Sequence, residues 1–238
     1  MKNLSHTARL AGLGYLIIFF TGFFANFHIL EGAWAKGDST ATIANILSSP
    51  TAFRLGVAAF TIMVAIDILL SLPLYLLSRE VSKPWAKATA LLRLINGGIF
   101  AIAMAQLFRI SALIPGGAPA LHNEAMACLQ QFDRTWDIGL LFFGAHLLAL
   151  GGLFSRSARI PQWIGWALQF AGAGYLLDSG AQLFHPEYET YQFLFESVVI
   201  FAGVAGELSL TLYLLAKGAK LRSGSTETSP FTYADPAS

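Results

Sequence analysis

A single cysteine, Cys128, in 238 residues leaves no intrachain disulfide and no Cys-x-x-Cys metal site. Charge is scarce too: Asp, Glu, Lys and Arg make up 12% of the chain, against about 25% in ordinary soluble domains. With a net charge of +1 and no Lys/Arg cluster, the chain lacks the basic face that neutralises phosphates, which excludes nucleic acid as a partner. No His-Glu-x-x-His spacing occurs, and the glycine-rich stretches fall inside apolar runs rather than in phosphate-binding loops. What is plentiful is apolar surface. At 55% hydrophobic residues the chain has more than one buried core can hide, so the excess faces lipid.

A helix crosses the hydrocarbon core with about 20 residues at about 1.5 Å each. Six segments qualify, approximately 10–30, 55–77, 88–108, 138–154, 164–184 and 193–215, the fourth being shortest. The expected fold class is therefore all-α, a polytopic transmembrane helical bundle of about six spans. Lys2 and Arg9, then Arg79, Lys83 and Lys87, then Arg156 and Arg159, then Lys217, Lys220 and Arg222 fall in alternate connections, whereas the others hold Glu31, Asp38, Glu124, Glu187 and Glu189. Positive residues are retained in the cytoplasm, so both termini are expected there, with the plasma (inner) membrane as the location. Trp85, Trp163 and Trp166 would mark the inner interface, and Trp34, Trp136, Tyr188 and Tyr191 the outer one. The first apolar run is longer than a secretory signal core and is read as a span.

Residues 1–222 form one domain in this reading, followed by a Ser/Thr/Pro-rich tail over 223–238 that lacks an apolar face. Asp38-Ser39-Thr40 followed by Ile43, Ile46 and Leu47 predicts a short amphipathic helix outside the bundle. Residues 115–138 make the longest connection, with 120–132 in it capable of helix. Pro73 should kink the second span.

Ionisable residues at membrane depth cost about 2.5–3.5 kcal/mol each and call for pairing or a site. Asp67, His146 and Glu207 share one depth near mid-span, and Arg93, with Asn96 and Gly97 on its face, reaches them from one side. These four are the candidate binding cluster. Arg54, Arg109, Asp137 and Asp178 suggest a second, outer layer of two acid–base pairs. Asp178, Gln182 and His185 share one stripe, and Glu196, Gly203 and Glu207 another. Buried pairs of this kind often do no more than orient helices. The pairs Ala145/Ala149, Ala167/Ala171 and Ala202/Gly206 have the spacing of close helix contacts. The hexad from Ala11 to Leu16 recurs nearly unchanged from Ala171 to Leu176. A b-type haem would need facing histidines; His28 and His185 match in depth only at the span edges, where the interfacial reading is preferred.

Phe53-Arg54-Leu55-Gly56, Asp67, Arg93-Leu94, Trp136-Asp137-Ile138-Gly139-Leu140, Phe142-Phe143-Gly144-Ala145-His146, Gly174-Tyr175-Leu176-Leu177-Asp178-Ser179 and Gly206-Glu207-Leu208-Ser209-Leu210 stand ahead of Leu214-Leu215-Ala216-Lys217-Gly218. This pattern, over roughly residues 8–218, resembles the bacterial domain-of-unknown-function family numbered 4386. The resemblance implies a six-helix membrane protein and supplies no catalytic residues.

The leading expectation is a membrane protein that binds or transports a small molecule or ion in a polar cavity lined by Asp67, Arg93, His146 and Glu207 and capped by Arg54, Asp137 and Asp178. His146, with an ordinary pKa of about 6.5, would be its proton-sensitive member. The competing classes are an intramembrane enzyme, with Asp67, His146 and Glu207 holding a metal or sharing acid–base work on a lipid, and a non-catalytic scaffold. No cofactor is named by the sequence.

Overall fold

The computed structural model describes residues 2–122, 124–185 and 188–223, excepting the side chains of 2, 3, 189, 194, 196 and 218–223. Glu187 and residues 224–238 of the expected tail lie outside the described residues, as do the side chains of Lys2, Glu189, Glu196, Lys220 and Arg222.

Helices account for nearly all of the described chain, and among the described residues there is no strand. They are α1 (Lys2–Asn26), α2 (Ser39–Ser48), α3 (Pro50–Ser78), α4 (Lys83–Leu113), α5 (Gly117–His122), α6 (Ala125–Phe154), α7 (Gln162–Phe184), α8 (Tyr188–Gly203) and α9 (Ser209–Ser223). Two π-helical turns interrupt the pattern: Phe27–Glu31 extends α1, and Val204–Leu208 joins α8 to α9. In a medium without water, an all-helical chain satisfies its backbone groups internally. Pro50 and Pro84 occupy first-turn positions of α3 and α4, where a missing N–H costs nothing. Pro73 lies inside α3, which runs on past it.

Among the described residues, five helical stretches are long and apolar enough to cross a membrane: Leu4–Glu31, Pro50–Ser78, Lys83–His122, Ala125–Phe154 and Thr190–Lys217. α7, with 23 residues, spans about 35 Å, but Gln169, Asp178 and Gln182 make it less apolar. Burial is inverted relative to a water-soluble protein. Arg93 is 0% exposed, whereas Phe193 is 85% exposed and Phe23, Leu69, Phe170 and Phe201 also point outward. An apolar exterior of this extent is the surface of a membrane protein.

The long helices close a ring. α1 packs on α3 and α9, α3 on α4, α4 on α6, α6 on α7, and α7 on α8. α6 and α7 approach closest through glycines, since a Cβ at Gly172 would stand 2.6 Å from the Gly144 carbonyl oxygen and one at Gly151 2.5 Å from that of Gly165. These glycines form that contact. The expected Ala167/Ala171 stripe does receive Gly206. Two apolar clusters fill the ring. One gathers Ile29, Phe53, Phe60, Met104, Leu107, Leu129 and Phe132 near α2; the other gathers Leu70, Leu74, Leu147, Leu150, Phe154, Ile164 and Leu210 toward the opposite end.

The helix expected outside the bundle is present as α2, and Asp38 caps it by accepting from the Ala41 N–H at 2.9 Å. Its Thr42, Ile43 and Ile46 are buried. The fourth span differs from expectation, being 30 residues long and among the longest. The stretch 120–132, expected in the connection as capable of helix, joins the span from Ala125 onward, and Ala125, Cys128, Leu129 and Phe132 give it a helical buried face. Trp34 and Trp136 also depart from the outer belt: Trp34 is buried, and Trp136 stacks on Phe100 with ring centroids 3.7 Å apart. Trp85, Trp163, Trp166 and Tyr191 are exposed.

Candidate functional site

Between the two apolar clusters lies a polar knot centred on Arg93. The Arg93 side chain leaves α4 and is completely buried. Its Nη2 donates to Asp67 Oδ1 at 2.6 Å, and its Nε donates to the Asp67 carbonyl oxygen at 3.0 Å. Its Nη1 donates to Tyr15 Oη at 3.2 Å and to His146 Nε2 at 3.1 Å. Rings of Tyr15 and Phe143 flank the guanidinium, with centroids 5.2 and 5.6 Å from Cζ. Asn96, one turn along α4, donates to Asp67 Oδ2 at 3.0 Å. Four helices thus meet on one cation.

His146 is fixed from both sides. Arg93 can only donate, so Nε2 must accept, and Nδ1 then carries the proton that it gives to the Thr89 carbonyl at 2.8 Å. The imidazole is neutral in this arrangement, with both nitrogens engaged. This corrects the expectation of a proton-sensitive His146: the sequence cannot reveal that a guanidinium occupies its acceptor.

Glu207 makes no hydrogen bond to the knot among the described residues, although it lies near enough to feel the charges of Arg93 and Asp67. It sits in the π-helical turn and lines a cavity of about 240 Å³ with Tyr15, Leu16, Ile18, Phe19, Gly22, Met63, Tyr175, Gly203, Val204, Leu208 and Thr211. Its side chain accepts from Tyr175 Oη at 3.4 Å, well beyond the usual ~2.7–2.8 Å for O–H···O. Among the described residues it makes no ion pair. Thr211 holds the turn by donating to the Glu207 carbonyl at 2.6 Å. π-turns inside α-helices are frequent at functional positions because they re-aim a side chain.

Two tyrosines join the site that depth reasoning did not select. Tyr15 and Tyr175 occupy the same place in the repeated hexad, line the same cavity, and each hydrogen-bonds a charged group, Arg93 for one and Glu207 for the other. The repeat was the available signal for both.

The outer layer is not two acid–base pairs. Arg109 pairs with Glu124 at 2.6 Å on an exposed face. Asp178 accepts from Tyr188 Oη at 2.8 Å. Asp137 has Asp133 and Asp178 as charged neighbours, with Lys36 as its nearby cation. Arg54 is exposed and, among the described residues, makes no ion pair. Arg54 and Arg109 are both exposed, and among the described residues neither pairs with Asp137 or Asp178. Among the described residues no group of three His, Cys, Asp or Glu is placed to hold a metal. Asp67, His146 and Glu207 therefore do not form the metal triad of the enzyme alternative; Arg93 occupies the space between Asp67 and His146. His28 gives its Nδ1 a local partner, the Phe24 carbonyl at 2.9 Å.

Residues 10–218 match the domain of unknown function family DUF4386, the stretch that carries the whole ring and the Arg93 knot. The chain belongs to this family. An uncharacterized protein of Archaeoglobus fulgidus is 28% identical over 172 residues, which covers 72% of this DUF4386 chain and 88% of the relative. No solved structure matches.

Proposed function

We propose that this DUF4386 protein binds a small, mostly apolar molecule bearing one cationic or hydrogen-donating group in the Glu207 cavity, held in a six-span bundle with both termini cytoplasmic. The plasma membrane is the location that goes with this topology. The observation that carries the reading is a count of charge. Arg93 and Asp67 neutralise each other inside the knot, so Glu207 is a surplus carboxylate with one long hydrogen bond. At that depth it needs a proton or a cation to balance it. Leu16, Ile18, Phe19, Met63, Val204 and Leu208 supply apolar walls. The volume of about 240 Å³ lies below the roughly 300–1,000 Å³ of drug-sized sites, which favours a small occupant.

In this reading the knot is scaffold and Glu207 is the working group. Any proton coupling of transport falls to Glu207, since His146 is committed to Arg93 and Thr89. The sixth span is α7, supported by its length and by its place between α6 and α8. Topology is tested by labelling single cysteines in Cys128→Ser chains at positions 80 and 158, with cytoplasmic protection expected at both.

The binding claim is tested by native mass spectrometry of the purified protein and of Glu207→Gln. A bound small molecule present on the first and lost from the second, at equal folded fraction, is the expected result. An equal adduct on both, or none on either after extraction in mild detergent, overturns the reading.

A further inference from the structure

At the end of the ring that carries α2, a second and larger cavity opens, with a volume of about 1,120 Å³. One wall is a helical stripe of α6 that runs through Gln130, Asp133 and Asp137. The facing walls come from the end of α7, the start of α8 and the connection that carries Trp34 and Lys36. Polar side chains dominate this bowl, unlike the Glu207 cavity.

Two of its groups are buried and unmatched. Asp137 lines the bowl at 6% exposure, and among the described residues no hydrogen bond or ion pair engages its carboxylate. Trp34 also lines the bowl at 8% exposure, and its Nε1–H, shut off from solvent, has no acceptor among the described residues. Buried polar groups are paired in the great majority of cases, and each orphan costs about 1–3 kcal/mol. An open carboxylate and an indole N–H that still lacks an acceptor, both on residues that line one cavity, are the complement of a ligand that carries a donor and an acceptor.

The charge on that ligand follows from the neighbours of Asp137: Asp133 and Asp178 stand near it, and Arg134, which also lines the bowl, is not among the charges that act on it. Lys36 holds its Nζ 5.1 Å above the centre of the Trp34 ring, and it is the cation that acts on Asp137. A tethered ammonium thus occupies the edge of the space between an aromatic face and a carboxylate, the two elements that recognise organic ammonium ions. The wall is rigid. Trp34 donates its backbone N–H to the Ile29 carbonyl at 3.1 Å, and Thr42 Oγ1 accepts from the Ala35 N–H at 3.1 Å while donating to the Asp38 carbonyl at 2.8 Å. A site held by such contacts is ready before its ligand arrives.

We infer that the bowl binds a small organic ammonium ion, with the Asp137 carboxylate taking the ammonium and the Trp34 indole N–H donating to an oxygen on the same molecule. Lys36 stands in for the ammonium until the ligand enters. The site is separate from the Glu207 cavity and does not depend on it.

The test uses the full chain in detergent with ethanolamine as probe, followed by calorimetric titration against sodium chloride at equal ionic strength. Saturable binding of ethanolamine is expected. Asp137→Asn weakens it about tenfold or more, the scale of a lost charge-assisted hydrogen bond. Trp34→Phe keeps the ring, removes the donor, and weakens binding about threefold to tenfold. Lys36→Met removes the resident ammonium and tightens binding. Glu207→Gln leaves it unchanged, which separates this site from the mid-bundle one. Repeating the titration in nanodiscs with and without phosphatidylethanolamine identifies the source: competition marks a lipid headgroup, and its absence a free amine. Binding no stronger than that of sodium chloride, equal binding by Asp137→Asn, preference for acetate, or loss in Glu207→Gln overturns the proposal. Should Asp137→Asn fail to fold, unchanged affinity in Lys36→Met does the same.

Discussion

Asp67 and Asp137 are both aspartates within helices of one ring, and both are more than nine-tenths buried. Asp67 receives two side-chain hydrogen bonds, from Arg93 and Asn96, and its backbone carbonyl takes a third. Asp137 receives none among the described residues and has two further aspartates as charged neighbours. The difference lies in what stands opposite. α4 presents Arg93 and Asn96 on the face that meets α3, whereas the cation that acts on Asp137, Lys36, lies over the Trp34 ring and makes no ion pair with it. A buried carboxylate that is matched holds helices together, and one that is unmatched stores a cost that a ligand can relieve. The same contrast separates Asp67 from Glu207.

The largest effect expected from breaking this contrast is at Arg93. Arg93→Met leaves Asp67 buried without its cation and should lower stability by about 3–5 kcal/mol in reversible detergent denaturation. The double change Arg93→Met with Asp67→Leu should recover most of that loss, because an apolar pair removes both desolvation costs. Asp137→Asn has the opposite sign. It removes an unmatched charge and should raise stability by about 1–2 kcal/mol in the same assay. A fall comparable to that at Arg93 would erase the distinction between the two aspartates. Tyr15→Phe deletes one of four hydrogen bonds to Arg93 and should cost about 1 kcal/mol. The smallest effect belongs to Arg109→Ala, whose ion pair with Glu124 lies on an exposed face; the melting temperature should not move measurably.

The sequence carried the knot further than the layer around it. Asp67, Arg93 and His146 were selected because ionisable groups are costly at mid-span, and cost forces pairing, so depth alone leads to the contact. Arg54 and Arg109 sit near helix ends, where long basic side chains reach polar surroundings on any face, and depth there decides little. Tyr15 and Tyr175 were missed because a phenol reads as apolar bulk until something needs its hydroxyl. The start of α6 was hidden by Gln130, Asp133 and Arg134, polar residues that face the bowl instead of lipid. Periodicity tells which side of a helix differs from the other. It does not tell whether the polar side meets water, a ligand or another helix.

Arg93 and Asp67 lie on consecutive long helices, joined by the short turn between Ser78 and Lys83. Their union needs no part of the chain beyond α4. A nascent polypeptide can therefore pair the two charges within this helical hairpin before α6 to α9 are made. Tyr15, already made, is available to the guanidinium from the start, whereas His146 joins a pair that exists before it. Neutralising Arg93 thus requires only α3 and α4, and the packing of α9 against α1 brings no unpaired cation of the knot into oil.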